Sequence, residues 1–382
     1  MASVWHYRCL PQIVITRSNF AIYDSRLSKY VRSLSKKYSV TILGWNRGNV
    51  TTSKNNKNND KGMNFKLFNL KAPYGKQKRI SYAYMLIYFS LFWTWIFVKL
   101  IIYRPKVVHA FDLDTVIPCY VYKKLFRKRL VFEIVDRYAM NAIPKKFRLI
   151  YSFVHRLEDS FALKADLFIT VGDRFLNTIK CKPKKSVVIL NCPEDYNIDE
   201  KIKTEDAIFK VVYAERVISR IRGVSDMVAA IRDLNNVRLV IAGNFIDKEL
   251  YAEILENPNV KYAGVLKPAD ALDLEAASDA MIALYDPENP QTEICMPTKF
   301  FESMMLRIPI ITNIRADLVN EIGFGMIVEY GNVEQIRSAI ITLRDNPELR
   351  KRLGNNGRKA FVEKYNWGIM EQKLFNAYNG VI

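Results

Sequence analysis

Apolar and polar positions along this 382-residue chain alternate in blocks that keep two different periods. Compact apolar runs of strand length fall at 11–16 (PQIVIT), 38–43, 65–70, 105–110 (PKVVHA), 129–134 (RLVFEI), 166–171 (DLFITV) and 186–190 (SVVIL). Segments with helical spacing separate them, among them 25–37 and a basic amphipathic stretch at 145–163. The alternation resumes at 209–214 (FKVVYA), 237–243 (VRLVIAG), 260–264 (VKYAG), 280–285 (AMIALY) and 308–312. Continuous apolar runs suit strands covered on both faces, and their alternation with helices predicts doubly wound parallel sheets. A chain of this length is enough for two such domains, each with its own core.

The stretch 291–313 (QTEICMPTKFFESMMLRIPIITN) organises the second half. Pro297 sets the backbone ahead of Thr298 and Lys299, and Phe300, Phe301, Met304, Met305 and Leu306 then recur at helical spacing. A helix is therefore predicted to start near Thr298, followed by a buried strand at 308–312. Its first turn offers free backbone N–H groups, a hydroxyl and an ammonium at one point, which is what a phosphate anion needs. Glu302, one turn further on, is placed to accept hydrogen bonds from sugar hydroxyls. The same spacing also fits an ordinary amphipathic helix before a core strand.

Residues 82–102 (YAYMLIYFSLFWTWIFVKLII) are apolar except for Ser90, Thr94 and Lys99. As a helix the segment would extend about 30 Å, enough to cross a bilayer. Three readings compete: a membrane span, a helix buried in a soluble domain, and a helix lying in the membrane interface. A span would put the strands at 65–70 and 105–110 on opposite sides of a membrane, which two neighbours in one sheet cannot be. The abundance of Tyr and Trp, and the flanking Lys76, Lys78, Arg79, Lys99, Arg104 and Lys106, favour the interfacial helix facing acidic headgroups.

Composition narrows the classes. With 49% hydrophobic and 25% charged residues, wholesale disorder is excluded, and the net charge of +19 calls for an anionic partner: nucleic acid, an acidic membrane or phosphorylated substrates. Nucleic acid fits poorly, because no zinc finger, RNP or helix-turn-helix signature is present and the aromatics cluster in one apolar stretch. Cys9, Cys119, Cys181, Cys192 and Cys295 are scattered, without CxxC pairs, and read as reduced thiols of a cytoplasmic protein with neither zinc site nor disulfide framework. The amino terminus lacks the pattern of a signal peptide. Residues 47–62 (RGNVTTSKNNKNNDKG) read as a polar surface loop.

His109, Asp112 and Asp114 fall at the carboxyl end of the run 105–110, and Glu133 and Asp136 at the end of the next, where open α/β sheets place ligands. Asp136 is a candidate for orienting or deprotonating a hydroxyl, or equally a partner of Arg137 or a helix cap. His109 reads as a polar contact or as a structural residue ending a buried strand. Asp112 and Asp114 form a DxD pair, too little by itself for a metal site.

PTKFFESMMLRIPIIT resembles the P-N-K-x-x-E-x-x-x-x-G-x-P-V-I segment of GT-B glycosyltransferases, particularly the family 4 group. The resemblance implies that Thr298 and Lys299 contact the nucleotide diphosphate and that Glu302 holds the ribose. Arg307 stands where that family has Gly, and Ile294 where an E-x7-E motif has its first acid. AERVISRIRG resembles the strand-end G-R and following K-G of the family, which assigns Arg216, Arg222 and Gly223 to the donor diphosphate, with Glu215 in place of Gly and Arg222 in place of Lys. HAFDLD resembles the H-x-H-[DE] stretch whose second His contacts the donor sugar; that position is Phe111, leaving His109 or Asp112 as the polar contact. VFEIVDRYA resembles the acceptor-side Y-D-x-H-E, which places Asp136 with the acceptor. The loop TRSNFAIYDSR lacks the family's glycines, so Arg17, Ser25 and Arg26 stand as substitutes near the donor phosphates.

The implied fold is α/β of the GT-B type: two Rossmann-like, doubly wound domains facing each other across a cleft. Residues 1–190 would bind the acceptor and carry the membrane-associating segment 82–102. Residues 191–365 would bind the nucleotide sugar, and a helix at 366–382 would pack back on the first domain. The implied activity is transfer of a hexosyl group from a UDP- or GDP-sugar to a hydroxyl of a lipid-linked or glycan acceptor, in polysaccharide, glycan or glycolipid synthesis. By resemblance it retains anomeric configuration and needs no metal or other cofactor. An inverting reaction with Asp112 or Asp136 as base stays open. The expected location is the cytoplasmic face of the plasma membrane. The alternatives are a nucleotide-sugar epimerase of the same fold and a basic nucleic-acid-binding protein.

Overall fold

A computed structural model describes residues 12–18, 24–47, 64–72, 82–143, 146–180, 182–196 and 208–382. The segment before residue 12, the polar loop from residue 48, Lys76, Lys78 and Arg79, and Cys9 and Cys181 lie outside the described residues. The chain divides into two compact units, 1–190 with 371–382 and 191–370.

The first unit runs β1 (Gln12–Arg17), α1 (Ser25–Leu34), β2 (Ser39–Trp45), β3 (Asn64–Phe68), α2 (Tyr82–Tyr103), β4 (Val107–Phe111), α3 (Leu113–Phe126), β5 (Arg129–Ile134), α4 (Tyr138–Ala142), α5 (Arg148–Lys164), β6 (Leu167–Thr170), α6 (Asp173–Leu176) and β7 (Ser186–Val188). Its strands pair in parallel in the order β3-β2-β1-β4-β5-β6-β7. The order reverses between β1 and β4, the topological switch point of a doubly wound sheet. Successive strand residues face opposite sides. His109, Phe111 and Glu133 meet α1 through Tyr30 and Arg26, while Thr16, Phe132 and Trp45 meet α3, α5 and α2 through Cys119, Phe161 and Phe92. Helices thus cover both faces, which is why these strands are apolar throughout.

α2 is buried along one stripe only. Phe89, Phe92, Ile96 and Leu100, at spacings of three and four, are buried, with Phe89 and Phe92 against Trp45 and Phe92 also against Phe68. The opposite stripe, including Ile87, Leu91, Val98 and Ile102, is apolar and exposed. The helix is long and apolar enough to cross a membrane, yet β3 and β4 on either side of it belong to one sheet, so a span is ruled out.

The second unit runs β8 (Phe209–Ile218), a 3-10 turn (Arg220–Arg222), α7 (Val224–Ile231), β9 (Val237–Phe245), α8 (Lys248–Leu255), β10 (Val260–Gly264), α9 (Pro268–Ala276), β11 (Ala280–Ala283), α10 (Thr298–Leu306), β12 (Ile310–Thr312), α11 (Ala316–Ile322), β13 (Gly325–Ile327), α12 (Val333–Asp345) and α13 (Pro347–Glu363). Its parallel sheet has the order β10-β9-β8-β11-β12-β13, with the switch point between β8 and β11. The core joins Val211, Tyr213 and Leu239 of the sheet to Met227 and Ile231 of α7 and Ile340 of α12. α14 (Trp367–Asn379) begins with the second unit, and from Glu371 onward its residues belong to the first.

Candidate functional site

α7 follows β8 and α10 follows β11, so the starts of these two helices flank the switch point of the second sheet. That position is where open α/β sheets bind ligands. α10 starts at Thr298 with Pro297 as its cap residue, and no side chain satisfies its first N–H groups. The predicted start is therefore met: Pro297, with φ fixed near −64°, sets the backbone ahead of Thr298. α7 starts behind Gly223, whose φ of +63° is left-handed. A Cβ there would lie 3.0 Å from Leu284 Cδ1, so glycine lets the 3-10 turn carrying Arg222 close against β11's exit.

Arg222 and Lys299, from these two places, act on one carboxylate. Half-buried Glu215 follows the buried run of β8, and burial holds it above the usual carboxylate range while the charges of Lys299 and Arg222 pull it down. Arg222 stacks its guanidinium 4.7 Å from the centre of the Tyr285 ring. Tyr285 in turn exchanges two 2.8 Å hydrogen bonds with Asn313, which fixes the loop after β11. Lys299 Nζ lies 2.5 Å from Glu275 Oε1 and 2.8 Å from Glu302 Oε2. Burial works to lower the Lys299 amine, but Glu302 and Glu275 outweigh it and hold the amine firmly protonated. Glu275 is buried and is pushed above the usual carboxylate range by burial first and then by Glu302, with Lys299 opposing.

Arg222, Gly223, Thr298, Lys299 and Glu302 therefore gather at one switch point. Arg216 does not join them in the same way: β8 continues through a bulge past Ala214 to Ile218, and Arg216 stands exposed on that extension. Arg307, in the family's Gly position, has φ +59° and caps α10 in the left-handed conformation that Gly would adopt without strain. Glu275 and Gln291 were missed by the sequence reasoning. Glu275 lies on α9, away from every motif, and Gln291 Nε2 is buried without a hydrogen-bond partner in the loop before α10.

The first unit's switch point is built differently. Arg17 at the end of β1 pairs with Asp112 at the end of β4, and its Nε lies 2.9 Å from Asp24. Asp112 has φ +58°, held there by its own N–H donating to Glu133 O at 2.7 Å and by Val135 N–H donating to its Oδ1 at 3.0 Å. Burial raises the Asp112 carboxyl to about 7, against the pull of Arg17. Asp114 accepts from Ser18 Oγ, so the two acids of the DxD pair have separate partners. Among the described residues no group of three or more His, Cys, Asp or Glu side chains is arranged to hold a metal ion. Asp136 is exposed and its charge reaches Asp112. Arg137 turns inward to Asp159 at 2.8 Å and Glu158 at 3.5 Å.

The expectation that His109 contacts substrate is corrected. Its ring is fully buried, with Nε2 3.1 Å from Glu133 Oε2 and Nδ1 2.7 Å from the Tyr378 hydroxyl. Burial first of all lowers the pKa of the imidazole, with Glu133 opposing, and Tyr378 and Nδ1 share one hydrogen bond. A ring with no exposed surface cannot reach a substrate. Arg26 is likewise removed from the phosphate role: it is buried, 2.5 Å from Glu133 Oε1 and 2.7 Å from Ile189 O.

Residues 196–360 match the family described as Glycosyl transferases group 1. The chain is 24% identical over 269 residues to a capsular polysaccharide biosynthesis glycosyltransferase, CapM, of Staphylococcus aureus, a match spanning 66% of each protein. Among solved structures, HepE from Anabaena in complex with UDP and glucose superposes with a TM-score of 0.72 at 13% identity, over 97% of this chain and 99% of that one. A sucrose-phosphate synthase from Thermosynechococcus elongatus superposes with a TM-score of 0.72 at 14% identity, over 97% of this chain and 98% of that one. The chain thus has the GT-B fold, and its match to the group 1 glycosyltransferase family, residues 196–360, falls within the second unit.

Proposed function

We propose that this glycosyltransferase takes a hexosyl group from a UDP- or GDP-sugar held by the second unit and passes it to a hydroxyl of a membrane-associated glycan or lipid-linked acceptor. Polysaccharide synthesis is the setting suggested by the Staphylococcus aureus relative. The observation that carries this reading is the convergence of Arg222, Lys299 and the uncapped start of α10 at the β8–β11 switch point. A diphosphate there meets two fixed cations and free N–H groups, which stabilise it more as it leaves than while it is esterified. In this proposal the cations supply the charge that a metal supplies in other transferases, and configuration is retained. Donor binding requires Lys299 to exchange part of its pairing with Glu275 and Glu302 for phosphate oxygens, and Glu302 is then freed for the ribose hydroxyls. Asp112 and Asp136, on the first unit, orient the acceptor hydroxyl. The enzyme acts as a peripheral protein on the cytoplasmic face of the plasma membrane.

The test is a thermal-shift panel of UDP-, GDP- and other nucleotide sugars on the wild type, Arg222→Ala and Lys299→Ala. One donor should raise the wild-type midpoint, and both substitutions should abolish that rise. Equal rises in all three proteins would refute the site.

A further inference from the structure

Large exposed apolar side chains are unevenly placed on the first unit. Among its described residues all but Ile382 lie on α2, on α3, or on α5 with the Phe147 that precedes it. α2 packs beside α3 and α3 beside α5, on one side of the sheet. α1 and the α14 residues that share this unit contribute none.

α5 is the most exposed of the three. Leu149 is 88% exposed, Phe153 65% and Ile150 56%. Its buried residues come from its second half, Glu158, Asp159, Phe161 and Ala162, while Leu149, Ile150 and Phe153 of the first turns are exposed. The charges that these three helices turn outward have one sign, and Asp166 just after α5 is paired with Lys123 and Arg129. α2 has no acidic residue, the single acid of α3, Asp114, is bonded to Ser18, and both acids of α5 turn inward to Arg137. Lys146, Arg148 and Arg156 are exposed around the α5 apolar cluster, and Arg104, Lys106 and Lys124 stand exposed at the far ends of α2 and α3.

We infer that the outer surface of α2, α3 and α5 docks on an anionic lipid bilayer, with Leu149, Ile150 and Phe153 as the inserting side chains. Apolar groups ringed by cations, with no anion among them, match the boundary between acyl chains and acidic headgroups. A second copy of the chain fits less well, because a two-fold contact through this face sets cation against cation. The inference deepens the membrane-associated acceptor proposed above and rests on that reading, since a buried acceptor lipid is what gives the enzyme a reason to sit there.

The experiment is co-sedimentation of the full chain with vesicles of phosphatidylcholine alone or mixed equally with phosphatidylglycerol. The wild type should sediment with the mixed vesicles only, and Leu149→Ser/Ile150→Ser/Phe153→Ser should lower its partition at least about tenfold. Ile246→Ser/Val265→Ser, exposed apolar positions of the second unit, should leave it unchanged. A triple variant that binds as the wild type does, equal binding to neutral vesicles, or wild-type self-association without vesicle binding would each overturn the inference. Donor thermal shifts on the same proteins separate the two readings: they should persist in the triple variant, and their absence from the wild type would count against the donor site and not the docking face.

Discussion

Lys299 shows how a binding cation is stored before its ligand arrives. It is held by two carboxylates, one of them buried, and a third, Glu215, feels its charge. Truncating it leaves those acids without their nearest cation, and breaking a buried pair costs roughly 3–5 kcal/mol. The cost should depend on pH. The folded-state pKa of Glu275 already lies above the ordinary carboxylate value, so stability falls as pH rises from that ordinary value through the folded one. Removing Lys299 takes away the one group that lowers Glu275 and shifts this loss to higher pH. The contribution of Lys299 itself, raised in the fold, is present in full at both pH 6 and pH 9 and cancels from the comparison. Urea unfolding should therefore find Lys299→Ala more destabilised at pH 9 than at pH 6; an equal loss at both would refute the network. Thr298, Lys299 and Glu302 were legible because one helix start places them together. Glu275 was not, because only the packing of α9 beside α10 brings it to a lysine 24 positions away.

At the level of elements, the strands and α10 follow directly from apolar runs and from Pro297, while polar residues inside those runs did not disclose their surroundings. His109 in VVHAF has the same neighbours in sequence whether it faces a ligand or a core. What decides is α14, whose Tyr378 arrives from 269 positions away to hydrogen-bond its ring. This bond closes a buried chain from Arg26 through Glu133 and His109 to Tyr378. Burial opposes ionisation of Glu133, yet Arg26 and His109 keep it below the ordinary carboxylate range, so the chain carries a full charge pair. Lys36 and Lys37 of the α1 exit add contacts to Glu371 and Phe375. Tyr378→Phe keeps the ring and strands His109 Nδ1, which should cost about 1–3 kcal/mol. Urea denaturation checks the loss, and a donor midpoint shift equal to that of the wild type would mark the residue as an anchor of α14 and not part of the donor site. A variant as stable as wild type would show that the bond is replaced or unneeded.

For the whole molecule, the two sheets have separate cores, and the carboxyl-terminal residues are sorted between them: 371–382 count with the first unit although the chain enters them from the second. Such a protein need not unfold in one step. A nucleotide sugar bound at the β8–β11 switch point stabilises only the unit that holds it. At a hundred times its dissociation constant this amounts to about 2.7 kcal/mol, which raises a domain of this size by roughly 5–10 °C. Tyr378→Phe acts on the other unit, because both it and His109 belong to the first. Calorimetry should therefore resolve two transitions, with the donor moving one upward and the substitution moving the other downward. If both perturbations displaced one common transition, the units would be unfolding together, and the assignment of donor binding and of the α14 anchor to separate cores would fail.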